Sequence, residues 1–450
     1  MVFSSIDFIF FFLPLFLACY YFAGKKAKNT CLLLFSLVFY GYGVLETPFH
    51  IALLIISVSL NYIFALLINK YSNAKKFTLF LGILYNFGCL FIYKYAGFFG
   101  LDINLILPLG ISFYTFQSIA YLVDVYRGTI KAEVSFINMA TSIVMFPKIT
   151  SGPIAGYARL QNELHDRTHT FSKFLDGSKY FILGMGLKIL LANRIGGLWS
   201  DIAMVGVECI SAPLAWMGIF AFSLQLYFDF YGYSLMAVGL GRMMGFELPH
   251  NFNTPYISVT MTEFWRRWHI TLGAWFREYL YIPLGGNRKG EVRKYFNLLI
   301  VWMFTGLWHG ASWNFVIWGL FLFLLTSLEK GIYGKFMERY RFIGHIYMFF
   351  VIPFSWLMFA SSDMTFFIEY VQRLVGIPGT VVFENDYIQY AKDYGVLLVT
   401  CLILSIVPIH DIFDKIKRKF PIYILLAIMF GYSVYGMYMG LNDPFLYFKF

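Results

Sequence analysis

The sequence predicts an all-α, polytopic integral membrane protein, and three observations carry that prediction. Hydrophobic residues make up 59% of the 450-residue chain and charged residues only 13%, whereas a soluble domain needs about a quarter charged to keep its surface wet. Mean hydropathy is +0.66, so the apolar side chains exceed what one aqueous core could hide, and lipid must be the second solvent. The 52 Phe, 33 Tyr and 10 Trp suit lipid-facing surfaces and the two interfacial belts.

A helix needs about 20 apolar residues to cross a bilayer. Read in order, candidate spans lie near residues 7–24, 30–45, 50–68, 77–97, 105–126, 174–194, 212–230, 295–308, 313–329, 343–360, 394–409 and 421–440. Segments 133–150 and 231–246 are apolar but broken by Pro or Gly, and each is expected to enter and return or to lie at the interface. The expectation is about 11 to 13 crossings in one domain, residues 1–450, with the informative motifs between 246 and 330. Residues 1–22 carry no basic residue before their apolar run, and read as a retained first span rather than a signal peptide.

Charge orients these spans. Cytoplasmic loops collect Lys and Arg. The clusters are Lys25, Lys26 and Lys28; Lys70, Lys75 and Lys76; Arg127 and Lys131; Lys330, Lys335, Arg339 and Arg341; and Lys415, Lys417, Arg418 and Lys419. All of them fall in the cytoplasm if the N-terminus starts outside, and the acidic stretch with Asp363, Glu369, Glu384 and Asp386 then falls outside. The net charge of +10 thus belongs to topology, and no basic–aromatic run matches a nucleic-acid module. The five cysteines are scattered without metal-ligand spacing and read as packing residues.

The chemistry concentrates in two stretches. Met261–Gly290 reads MTEFWRRWHITLGAWFREYLYIPLGGNRKG, aromatics alternating with Arg266, Arg267 and Arg277. On one helix this is amphipathic, either an interfacial anchor or a cytoplasmic entrance where arginines receive an anionic donor such as coenzyme A. His269 inside it is either a structural histidine or a polar group in a passage.

The second stretch, Val301–Leu320, reads VWMFTGLWHGASWNFVIWGL. The span before it, 295–308, gives roughly 21 Å of helix, short of the ~30 Å hydrocarbon core. The turn at His309, Gly310, Ala311 and Ser312 is therefore expected inside the membrane, where irregular backbone must be buried in protein or line a cavity. An ionisable residue there is a functional candidate. Loss of water favours the uncharged imidazole, which can take a proton from an alcohol; the alternative is a histidine bonded to a helix carbonyl.

Other constellations are weaker. His165 and His169 stand four apart without the glutamate of a zinc protease and read as a solvated loop, so no metal is expected. Gly285-Gly286-Asn287 lacks the frame of a phosphate loop and reads as a turn. Asp229, nearly isolated among apolar residues, is expected to pair with an arginine.

At these residues the chain resembles the membrane-bound O-acyltransferase family, in particular its bacterial branch of alginate and peptidoglycan O-acetyltransferases. Phe264–Gly290 and Gly306–Gly319 match that branch's two histidine motifs, with His269 and His309 standing 40 residues apart. Further matches are MVFSS at the start, LPLGISFYTFQ at Leu107–Gln117, FPKITSGPI at Phe146–Ile154, GLGRMMGF at Gly239–Phe246 and PFLYFKF at Pro444–Phe450. Leu235 and His250 depart from it, each standing where an acid is expected.

The resemblance implies helices around a thinned centre, with a tunnel joining a cytoplasmic donor funnel to an acceptor on the opposite side. It implies His309 and His269 as catalytic residues, Arg266, Arg267 and Arg277 at the donor, and Trp308, Ser312, Asn314, Asp229 and Gln117 along the tunnel or its turn. It further implies an acyl thioester co-substrate, acetyl-CoA or an acyl-carrier protein, with no bound cofactor, and a separate extracytoplasmic acetyltransferase acting on polysaccharide. The cell membrane is the implied location. Two rival readings stand beside this one: D-alanyl transfer from a carrier protein to teichoic acid, and a transporter or flippase for a lipid-linked sugar.

Overall fold

The computed structural model describes residues 1–101, 105–361, 363–379, 383, 385–415 and 420–441. Glu384, Lys417, Arg418, Lys419 and the closing PFLYFKF motif lie outside the described residues. The described chain is helical throughout, without a strand. The first helices are α1 (Phe8–Phe22), α2 (Lys28–Gly43), α3 (Phe49–Lys70), α4 (Lys75–Tyr95), α5 (Ile111–Arg127), α6 (Phe136–Val144) and α7 (Tyr157–His165). The long α8 (Phe171–Val205) and α9 (Ala212–Met243) follow. After them come α10 (Met261–Arg267), α11 (Ile270–Phe276), α12 (Glu291–His309), α13 (Trp313–Arg339) and α14 (Arg341–Ala360). The last are α15 (Met364–Leu374), α16 (Asp386–Ser405), α17 (Ile409–Lys415) and α18 (Pro421–Tyr438).

Among the described residues, α3, α4, α8, α13, α14 and α18 are each long and apolar enough to cross a membrane. A seventh span is counted if α16 and α17, bent by 65°, form one broken crossing. The chain is thus a multi-pass membrane protein. Several other apolar runs fold as helices too short to cross alone, among them α2 with 16 residues and α5 with 17, so fewer full-length spans form than the apolar runs suggested. Segment 133–150 breaks as expected, α6 ending at Val144 before a single turn at Phe146–Ile149 that contains Pro147. Segment 231–246 does not stand apart: most of it continues 212–230 in the 32-residue α9.

The helices group into two compact units. In the first, residues 1–182 and 233–250, Phe3, Phe8, Phe12, Phe16, Phe39 and Phe146 form one aromatic core, and Phe3 stacks on Tyr233 at 4.6 Å. Buried amides lock helices to each other, as where Asn86 donates to Asn61 at 2.7 Å between α4 and α3. In a bilayer such bonds replace the hydrophobic drive that water supplies elsewhere. Gln117 lies buried on α5 in this unit.

The second unit, residues 183–232 and 251–450, carries both motif histidines. Here the backbones of α8 and α9 touch at Gly232, where a side chain would run into the Gly184 carbonyl and the Lys188 amide. Close by, Lys188 and Asp229 form an ion pair, both side chains almost fully buried. A lysine thus partners Asp229, where the sequence pointed to an arginine. A compact ammonium on the adjoining helix fits where two backbones are in contact.

Candidate active site

The site is built on a helical hairpin. α12 ends at His309, Gly310–Ser312 turn the chain, and α13 leaves from Trp313. Gly306 and Gly319 face each other across the pair, each lying against the other helix's backbone at Phe315 and Trp302. Only glycine permits that approach, and it fixes the register of the turn. Asn314 donates to the Ser361 carbonyl at 2.8 Å, tying the hairpin to the end of α14, and Ser312 donates to the Asn314 side-chain oxygen. These two predicted turn residues shape the turn.

α12 has 19 residues, about 28 Å of helix. The expectation of a short span is therefore corrected: the apolar run begins near Tyr295, but the charged turn from Glu291 to Lys294 is also helical, opened by an acid in its first turn. Protein buries His309 instead. Its ring packs against Trp308 and Trp318, both at 5.0 Å between centroids, and Phe359 at 5.5 Å, and the residue is 5% exposed. Nδ1 lies 2.7 Å from the Thr305 carbonyl one turn earlier. A carbonyl can only accept, so Nδ1 carries the proton and the ring's lone pair sits on Nε2. The helix-carbonyl bond offered as a rival explanation for this histidine thus exists, and it is also what orients a base.

His269 reaches the same wall from elsewhere. The expected continuous amphipathic helix is broken here into α10 and α11, because His269 adopts left-handed backbone at φ 44°. The preceding 251–253 segment holds the break open. Asn253 N–H donates to the Arg267 carbonyl at 2.9 Å, Ile270 N–H to the Asn251 carbonyl at 2.9 Å, and the Thr271 hydroxyl to the Asn251 side chain at 2.6 Å. The imidazole is buried edge-on to Phe230 at 4.7 Å and lies 6.0 Å from Trp308. Trp308 therefore stands against both histidines, which also interact electrostatically.

Most aromatics of the first motif face protein, while Tyr279 and Tyr281 are half-buried. Phe264, Trp268, Trp275 and Phe276 are buried, and Trp265 joins Trp302, Trp318 and Trp356 in a wall continuous with the His309 pocket. The buried indole N–H groups of Trp265 and Trp318 have no hydrogen-bond acceptor among the described residues.

The three arginines part ways. Arg267 is committed to structure: it pairs with Glu263 at 3.0 Å and donates to the Asn253 carbonyl at 3.1 Å. Arg266 and Arg277 are exposed. Lys330 lies within electrostatic reach of Arg266 and of Lys294, and Lys294 pairs with Glu291 at 2.5 Å. In the sequence Lys330 marks topology alone, and no motif singles out Lys294.

Glu329 was likewise missed. This buried carboxylate on α13 accepts from the backbone N–H groups of Met261 and Thr262 at 2.5 and 2.9 Å, and so anchors the start of α10. Gly285-Gly286-Asn287 is a turn, as read, pinned by Asn297 donating to the Gly286 carbonyl at 2.9 Å. Of the tunnel candidates, Trp308, Ser312 and Asn314 meet at the hairpin, Asp229 sits in its ion pair, and Gln117 belongs to the first unit. Among the described residues no group of three His, Cys, Asp or Glu could hold a metal. His165 instead lies 2.7 Å from Glu133, and His169 lies 3.1 Å from the Tyr20 hydroxyl.

Comparison with known proteins gives consistent results. The membrane-bound O-acyltransferase family model matches residues 130–372. The chain is 38% identical over 390 residues to a probable alginate O-acetylase of Pseudomonas syringae pv. tomato, covering 81% of this chain and 73% of that protein. It is 33% identical over 429 residues to the peptidoglycan O-acetyltransferase of Helicobacter pylori, covering 84% and 80%. A teichoic acid D-alanyltransferase of Bacillus subtilis is 28% identical over 252 residues, covering 53% and 63%.

Proposed function

This chain belongs to the membrane-bound O-acyltransferase family, and from that premise we propose that it moves an acetyl group from a cytoplasmic thioester to an extracytoplasmic hydroxyl, in the O-acetylation of an exported or cell-surface polysaccharide. The observation that carries this reading is the His309 ring, whose Nδ1–H is held by the Thr305 carbonyl inside aromatic walls. Nε2 takes the proton of the acceptor hydroxyl as the oxygen attacks the thioester carbonyl. The tetrahedral oxyanion collapses with cleavage of the C–S bond, and the leaving thiolate takes the proton back from the imidazolium. Ester and free thiol result. The unmet indole N–H of Trp318, whose ring packs on His309, is one buried donor for the oxyanion.

Arg266, with Lys330, receives the phosphates of acetyl-CoA or of a carrier protein's prosthetic arm, and Arg277 adds a further cation. His269 positions the donor or passes the proton. A separate extracytoplasmic acetyltransferase acts on the polysaccharide. The chain lies in the cell membrane with its N-terminus outside, as the basic clusters suggest.

Single-turnover transfer from radiolabelled acetyl-CoA in proteoliposomes tests this reading. His309→Ala is expected to fold and bind donor, yet lose about 10²–10⁴-fold in rate; a well-folded variant keeping more than about a tenth of the wild-type rate would refute the general base. Transfer from a charged carrier protein alone would move the chain to the D-alanyl class of its Bacillus relative. Substrate movement without a new covalent bond would make it a transporter.

A further inference from the structure

Within the second unit lies a cavity of about 580 Å³, formed between α9, the turn at Pro255–Ile257, α14 and α16. Its wall is apolar, with Phe220, Leu224, Met348, Ile352 and Leu402 contributing. The few hydroxyls in that wall are already satisfied. Ser223 and Tyr256 bond each other at 2.8 Å, and Ser405 donates to the Leu402 carbonyl at 2.7 Å. The mouth faces outward, for Phe349 is 45% exposed and Ile403 56%.

The lining has a polarity along α14, itself a candidate membrane span. Arg341 and His345 stand one turn apart at its start, and Met348, Phe349, Ile352 and Pro353 follow on the turns beyond. Both basic side chains are exposed, and neither has an ion-pair or hydrogen-bond partner among the described residues. No acidic residue lines the cavity. The order from cation to hydrocarbon along a spanning helix is that of an amphiphile standing upright in a leaflet.

We propose that this cavity is a binding site for an anionic phospholipid, one acyl chain lying among Leu224, Ile352 and Leu402 and the phosphate meeting Arg341 and His345. A soluble phosphate would leave the apolar volume unfilled, and a zwitterionic lipid would leave Arg341 without a net counter-charge. The site is independent of the transfer reaction, since none of its residues takes part there.

Native mass spectrometry of the full chain from nanodiscs, with phosphatidylglycerol titrated against phosphatidylcholine, provides the test. Wild type is expected to retain phosphatidylglycerol about tenfold over phosphatidylcholine, two basic groups contributing. The double variant R341Q/H345Q, altered only at exposed positions, should lose that preference. Ile403→Trp, which fills the mouth from an exposed site, should lower retention of both lipids, and glycerol 3-phosphate should not compete. Undiminished preference in R341Q/H345Q, unchanged retention in Ile403→Trp, or competition by glycerol 3-phosphate at equal concentration would each overturn the proposal.

Discussion

An imidazole has two nitrogens, and in His309 the helix has already engaged one. Thr305 offers its carbonyl to Nδ1, so the chemistry left to the ring belongs to Nε2. The neighbouring arginines show the same division between structure and reaction. Arg266→Ala is expected to raise donor KM several-fold with little change in kcat, as uniform phosphate binding predicts. Arg267→Ala should leave donor KM unchanged in the folded protein and lower the thermal midpoint, because it loses Glu263 and the Asn253 carbonyl. Steady-state kinetics beside thermal shift separates the two, and a KM effect confined to Arg267→Ala would reverse the assignment. The candidate histidine stood out in the sequence by its motif, and the helix-carbonyl bond that orients its ring did not. The distinction between the arginines was not legible, since Glu263 stands three residues before Arg266 and four before Arg267, and both spacings let a helical acid and base pair.

At the scale of elements, apolar runs foretold where helices lie better than where they stop. Residues 261–281 read as one amphipathic helix because no Gly or Pro interrupts WRRWHI, yet the chain breaks at His269. The cause lies outside the segment: the backbone of Asn251 and Asn253 supplies the partners that the broken turn needs. Long-range pairing of that kind leaves no local signature. Glu329 is a second case, a lone acid in an apolar stretch whose partners are the N–H groups of a helix more than sixty residues earlier. Glu329→Ala should leave those buried donors unmet, at a cost of about 1–3 kcal/mol. The expected readout is a lower thermal midpoint with Glu329→Gln intermediate; equal midpoints for wild type and Glu329→Ala would remove its anchoring role.

For the whole molecule, composition settled the solvent and charge suggests the orientation. Cysteines placed at 76, 131 and 335 are expected to react with an impermeant reagent only from the cytoplasm, and one at 369 only from outside, on a background lacking the native cysteines. Labelling of position 369 from the cytoplasm alone would invert the map. The number of full-length crossings was less legible, because a run of apolar residues does not reveal whether it folds as one long helix or, like α2, as a shorter one set among others.

The ion pair between Lys188 and Asp229 bears on how the chain enters the bilayer at all. Each residue alone would burden its helix by about 2.5–3.5 kcal/mol near the membrane centre, yet together they are nearly neutral and share one buried site. Because α8 and α9 are consecutive, the ribosome delivers the two charges within one short interval of synthesis. The insertion machinery is therefore expected to release these helices into lipid as a hairpin, not one after the other. Asp229→Ala should remove the buried counter-charge of Lys188 and lower the yield of inserted protein, and Lys188→Leu combined with Asp229→Leu should restore it. Pulse-labelled membrane fractions would report both, and equal yields from all three chains would mean that each helix partitions on its own.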